Sequence, residues 1–200
     1  LTDSLRNLSG RVNLPILIDQ EGGRVTRMGP PYWRSWMSAT ALSEGTLKVE
    51  RAAQRVACNY EALGLELACS GVTVTCAPVL DIPSPDAHGI IGDRAFGTSS
   101  AVVSRLGAAC LEGLHLGGVE GVIKHIPGHG RARTDSHENL PRVDARASEL
   151  VEDSQPFANL SHASMAMTAH VVFEAWDPLH CASVSSKVIE EQIRGEIGFG

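Results

Sequence analysis

Four short apolar runs, each ending in polar residues, constrain this chain more than any other feature. They are LPILID at 14–19, GVTVTCAPVLD at 71–81, VEGVIKH at 119–125 and MAMTAH at 165–170. Their length and β-branched content predict buried strands. Between the first two, apolar residues recur at helical spacing over 46–66, where Val49, Ala52, Ala53, Val56, Ala57, Tyr60 and Leu63 share a face. Further helices are predicted over 101–118, stopped by Gly117 and Gly118, and over 147–160, interrupted near Pro156. A last one is predicted over 185–198, capped by serine and closed by glycine. The sequence has no internal repeat, low-complexity segment or linker.

Strand, loop and helix repeated four times predict a parallel α/β sheet. Asp19-Gln20-Glu21, Asp81, Lys124-His125 and His170 each follow a strand, so four strands carry polar groups to the same C-terminal face. An open doubly wound sheet gathers ligands mainly at one switch point, whereas a (β/α)8 barrel uses every strand end. The expected fold is therefore a (β/α)8 TIM barrel. Such a barrel takes about 250 residues, and the 200 present here are expected to form an incomplete central portion of one.

Composition narrows the function classes. Hydrophobic residues make up 43% and charged residues 20%, and the formal charge is −6 with no Lys/Arg-rich block. That argues against a nucleic-acid partner. No apolar run reaches the roughly 18 residues needed to cross a bilayer, and the polar opening LTDSLRNLSG is no signal peptide. Leu1 in place of Met points to a true start further upstream. Five cysteines without a CxxC pair read as reduced thiols in a cytoplasmic protein.

Three loops carry the chemistry. In DQEGGRVTRMG, Asp19 ends a strand, Gly22 and Gly23 permit a sharp turn, and Arg24 and Arg27 follow it. A carboxylate and a guanidinium beside such a turn can grip sugar hydroxyls or a carboxylated ligand; the alternative is a structural turn with a surface ion pair. The long loop APVLDIPSPDAHGIIGDRAFG offers Arg94 as the residue best suited to reach back into a site, while Asp81 is expected to orient the loop by hydrogen bonds. The stretch GVIKHIPGHGRARTDSH sends Lys124 and His125 into the pocket, and His129 is expected to hold the turn. It then separates Asp135 from His137 by one residue, so the carboxylate can fix the imidazole tautomer for acid/base work. The histidines and Asp135 are suitable zinc ligands, but the H-x3-H of HIPGH contains Pro and Gly and cannot form a one-face helical pair. No metal is expected.

The motifs IDQEGGRV, APVLDI…IGDRAFG, KHIPGHG…DSH, MTAHVVF and RGEIGF resemble family 3 glycoside hydrolases, in particular the bacterial cytoplasmic β-N-acetylglucosaminidases of peptidoglycan recycling. The resemblance spans 14–200. It implies a (β/α)8 barrel and a retaining mechanism in which His137 is the acid/base and Asp135 its helper. It also implies N-acetylglucosamine (GlcNAc) binding by Asp19, Arg27, Arg94, Lys124 and His125. The implied substrates are GlcNAc-containing muropeptides. No cofactor, membrane or nucleic acid is implied, and the intact enzyme would be a cytoplasmic monomer. The family nucleophile, an aspartate in an SDDL-like motif after the RGEIGF helix, has no match within these residues. The ending GFG also departs from the usual GFDG. The first and last strands of the barrel are thus expected to lie outside the chain, which alone should be inactive. The rival readings are a catalytically dead GlcNAc-binding module and a family 3 β-glucosidase.

Overall fold

The computed structural model describes residues 1–45, 48–87, 89–134 and 139–200. The helices are α1 (Thr2–Ser9), α2 (Ala39–Ser43), α3 (Val49–Cys69), α4 (Ser100–Leu116) and α5 (Ala147–Asn159). The strands are β1 (Leu17–Ile18), β2 (Val74–Thr75), β3 (Glu120–Ile126), β4 (Arg142–Val143), β5 (Met165–Thr168) and β6 (Val172–Phe173).

Strands β1, β2, β3 and β5 form one parallel sheet in that order. Each strand joins the one before it in the sheet, so among the described residues strand order never reverses and there is no switch point. Helix α4 packs between α3 and α5. This is the geometry of a barrel arc rather than a doubly wound sheet. Among the described residues the arc is open, with β1 and β5 at its edges. A separate parallel pair joins β4 to β6.

The sheet's two faces differ. Ile123 of β3 enters the main core with Val56 and Leu63 of α3, Leu106 and Leu114 of α4 and Phe157 of α5. Each such side chain contributes roughly 1.5–3 kcal/mol by leaving water. Neighbouring Val122 points the other way and joins Val74 and Cys76 in a small second cluster against Met165. Helices α3 and α4 approach so closely that a Cβ on Gly113 would lie 2.3 Å from the Ala57 carbonyl oxygen.

Several elements differ from expectation. The paired parts of β1 and β2 are only two residues long, because Pro15 precedes one and Pro78, which has no N–H, follows the other. Pairing resumes at a single bridge from Val79 to Lys124. Helix α3 runs on to Cys69, and its Val49 is exposed rather than buried; Thr46 and Leu47 lie outside the described residues. Pro156 does not interrupt α5: the carbonyl that loses its partner belongs to Glu152, an exposed residue that water can reach. The last predicted helix has the expected serine cap, with Ser185 Oγ accepting from the Val188 N–H at 3.0 Å. Its body, Val188–Glu196, is π-helical. Val188 and Ile193, both buried, are five residues apart, and i+5 winding brings that spacing onto one side.

Candidate active site

The C-terminal strand ends converge on one cleft of about 460 Å³, within the range of small-ligand sites. All five predicted sugar-binding residues, Asp19, Arg27, Arg94, Lys124 and His125, line it. The expected dyad, Asp135 and His137, lies outside the described residues.

The cleft is organised around Glu21, which sequence reasoning did not nominate. Arg94 donates to it twice, from Nε at 2.8 Å and Nη2 at 2.9 Å. Lys124 Nζ lies 2.5 Å from Glu21 Oε1 and 3.2 Å from Asp19 Oδ1. Burial pushes the Glu21 carboxyl up, but the hydrogen bonds from Arg94 and the charge of Lys124 outweigh it, and the net shift is downward. Burial likewise works against the charge of Arg94, yet its bonds to Glu21 raise it further above its ordinary range. One signal was available in sequence. Lys124 at a buried strand end needs a counterion, and Glu21 stands two residues past the predicted end of a strand on the same face, just before the glycine pair.

The turn that carries Glu21 depends on that pair. Gly22 and Gly23 have φ of 92° and 58°, and a Cβ on Gly22 would come within 2.3 Å of the Met37 carbonyl oxygen. The Tyr60 hydroxyl on α3 donates to the Glu21 carbonyl at 2.8 Å. Buried Gln20 accepts from the Arg27 and Met28 N–H groups at 2.8 and 3.0 Å and donates to the Met28 carbonyl at 2.7 Å. That clamp fixes the backbone of Arg27. Its side chain is exposed to the cleft and has no partner among the described residues.

The two arginines therefore separate. Arg24 reaches the other way, donating to the carbonyls of Gly89, Ile90 and Ile91 and pairing with Asp93 at 3.1 Å. It clasps one cleft wall to another, while Arg27 stays available to a ligand. Arg94, expected to meet ligand, spends Nε and Nη2 on Glu21 and bonds the Ile90 carbonyl through Nη1.

On β3 the ladder register slips between Lys124 and Ile126, so consecutive Lys124 and His125 both line the cleft. Asp81 is fully buried, and the hydrogen bonds expected to orient its own loop go instead to the end of β3 and the segment that follows it. Asp81 accepts from the backbone N–H groups of His125 and His129 at 3.3 and 2.7 Å, and from His125 Nδ1 at 2.6 Å. Burial pushes its carboxyl up, and the His125 and His129 contacts bring it below its ordinary value. His129 is buried beside His125, with ring centroids 5.5 Å apart, and its Nδ1 has no partner among the described residues. Burial lowers its pKa. His170 and Met167 form the β5 side of the cleft. Among the described residues, no group of three His, Cys, Asp or Glu side chains could hold a metal ion.

The arrangement suits a neutral, hydroxyl-rich ligand: fixed cationic donors, a half-exposed carboxylate at Asp19 and imidazoles, with the strongest charges already compensated. Comparison with known proteins gives the same direction. Residues 2–200 match the family described as glycosyl hydrolase family 3 N terminal domain. A β-hexosaminidase of Alkalilimnicola ehrlichii is 37% identical over 205 residues, covering 100% of this chain and 57% of that protein. The crystal structure of NagZ from Neisseria gonorrhoeae in complex with N-trifluoroacetyl-D-glucosamine superposes with a TM-score of 0.88 at 32% identity, over 100% of this chain and 58% of that one. A family 3 β-N-acetylglucosaminidase from Paenibacillus sp. str. FPU-7 gives 0.86 at 34% identity, over 100% and 38%. The chain thus spans little more than half the length of the first two proteins and less of the third.

Proposed function

The chain belongs to glycosyl hydrolase family 3, and from that premise we propose that the full-length protein is an exo-acting β-N-acetylglucosaminidase. It removes non-reducing terminal GlcNAc from muropeptides in the cytoplasm, during peptidoglycan recycling, and acts as a monomer without a cofactor. The observation that carries this reading is the gathering of Asp19, Arg27, Arg94, Lys124 and His125 in one sugar-sized cleft. The relatives named β-hexosaminidase and the sugar-bound neighbour support the choice of GlcNAc. The five free cysteines accord with a reducing compartment, and no helix among the described residues is long and apolar enough to cross a membrane.

In this reading Arg27 and Lys124 donate to sugar oxygens, and Asp19 accepts from a hydroxyl. Asp81 takes the Nδ1–H of His125 and leaves its Nε2 free for the sugar. Arg94 acts through Glu21 and holds the floor of the cleft. His137, steered by Asp135, protonates the leaving oxygen and later activates water. A carboxylate nucleophile outside these 200 residues forms the glycosyl-enzyme. The mechanism retains configuration, with a histidine in place of the usual carboxylate acid/base. The chain itself is the central part of a family 3 barrel domain, with first and last strands contributed from outside it.

The test compares nitrophenyl GlcNAc with nitrophenyl glucose on the full-length protein. Preference for the GlcNAc substrate is expected. Preference for glucose would overturn the substrate assignment, and GlcNAc binding without turnover would identify a dead binding module. Arg27→Ala or Lys124→Ala should weaken the complex by roughly 1.5–3 kcal/mol, the worth of one charge-assisted hydrogen bond.

A further inference from the structure

The cleft supplies many donors and few free acceptors. Arg24, Arg27, Arg94 and Lys124 can only donate. Both oxygens of Glu21 are engaged by Arg94 and Lys124, and one oxygen of Asp19 by Lys124. A sugar hydroxyl both donates and accepts, so its own protons need acceptors on the protein. Asp19 provides one at the β1 edge of the sheet, and His125, whose Nδ1 is bonded to Asp81, provides Nε2 near its middle. The opposite wall, at the end of β5, holds Met167, Thr168 and His170.

His170 is held in one tautomer by a short chain of hydrogen bonds. The Ser183 hydroxyl lies 3.0 Å from the carbonyl oxygen of Ala169, which can only accept. Its single proton is therefore committed there. Ser183 Oγ is also bonded to His170 Nδ1, and with its proton committed it must accept in that bond. The imidazole thus carries its proton on Nδ1. In the neutral ring Nε2 is then the acceptor.

We propose that His170 is a further substrate-contacting residue, offering Nε2 as acceptor to an O–H or N–H of the sugar on the β5 side of the cleft. Ser183 is its positioning residue, because it selects the tautomer without touching the ligand. The inference rests on the GlcNAc reading of the site. It adds a contact that discriminates among ligands: a sugar lacking the donor at that position leaves the imidazole nitrogen unpaired and binds less well.

The experiment uses the full-length protein, with GlcNAc affinity measured by calorimetry and the His170 tautomer read from imidazole 15N shifts. His170→Ala should weaken GlcNAc binding about threefold to tenfold, the effect of one net hydrogen bond. Ser183→Ala keeps the ring but frees the tautomer. It should move the 15N pattern away from Nδ1–H and weaken binding in step, while Ser183→Thr, which keeps a hydroxyl, should restore both. A wild-type imidazole protonated on Nε2 would overturn the proposal. So would a His170→Ala variant that binds as tightly as wild type while Arg27→Ala does not. Wild-type protein that binds no GlcNAc would overturn the functional reading itself, and this contact with it.

Discussion

The carboxylate of Glu21 and the guanidinium of Arg94 meet through two parallel hydrogen bonds across 73 residues of chain, with side-chain exposures of only 6% and 11%. Lys124 shares the same carboxylate. Removing Glu21 would leave two cations facing each other with little water to separate them. Glu21→Gln should destabilise the fold by about 3–5 kcal/mol, as for a broken buried pair, and should abolish GlcNAc binding. Denaturant melts of wild type, Glu21→Gln, Arg94→Met and the double variant measure it. A double variant less damaged than Glu21→Gln alone is expected.

Acid should weaken the protein in two windows. Burial holds His129 below its ordinary 6.5, so as pH falls past 6.5 the unfolded chain takes up a proton that the folded chain refuses, and stability drops. Glu21 and Asp81 are held below their ordinary 4.5 and 3.8. Their contribution is complete above those values and is lost as pH falls through the lower folded ones. Denaturation midpoints at pH 8, 5.5 and 3 should fall stepwise. His129→Gln should flatten the upper step, and Glu21→Gln should reduce the lower.

If the full-length protein has the proposed activity, His137→Ala in it should lower kcat by about 10²- to 10⁴-fold, the usual worth of a general acid/base, with GlcNAc affinity little changed. Asp135→Ala should slow turnover as well, through loss of the imidazole's orienting partner. A loss under threefold for His137→Ala, read on nitrophenyl GlcNAc, would remove it from the mechanism.

Residues 1–200 expressed alone should self-associate. Among the described residues the outer strands β1 and β5 each have one unpaired side, and Leu17 on β1 is 55% exposed. The polypeptide should also hydrolyse no nitrophenyl GlcNAc. Sizing chromatography with light scattering measures the first property; a monodisperse, cooperatively melting monomer would contradict it.

Much of this was legible in the sequence because period and position report different things. Period gave α3, α4 and the parallel strands. The position of polar residues after each strand gave Asp19, Lys124 and His125 a common face. What escaped depended on partners distant in sequence. Glu21 shares the strand-end position of Asp19, but nothing near it names Arg94, 73 residues on, as its partner, and nothing near Arg24 says that it turns toward 89–91 while Arg27 lines the open cleft. The π-helical winding at the end was written in the five-residue step from Val188 to Ile193, which a search for helical spacing of three and four passes over. The dyad loop is the reverse case: Asp135 and His137 were singled out by sequence and lie outside the described residues.

Arg24 has one more consequence. Its guanidinium fastens the carbonyls of 89–91, so the wall formed by Ile90 and Ile91 is pinned to the glycine turn before any ligand arrives. The freedom of that wall is surrendered when the chain folds rather than when a sugar enters. A ligand therefore meets a surface already set, and the entropy of arranging it does not weaken the complex.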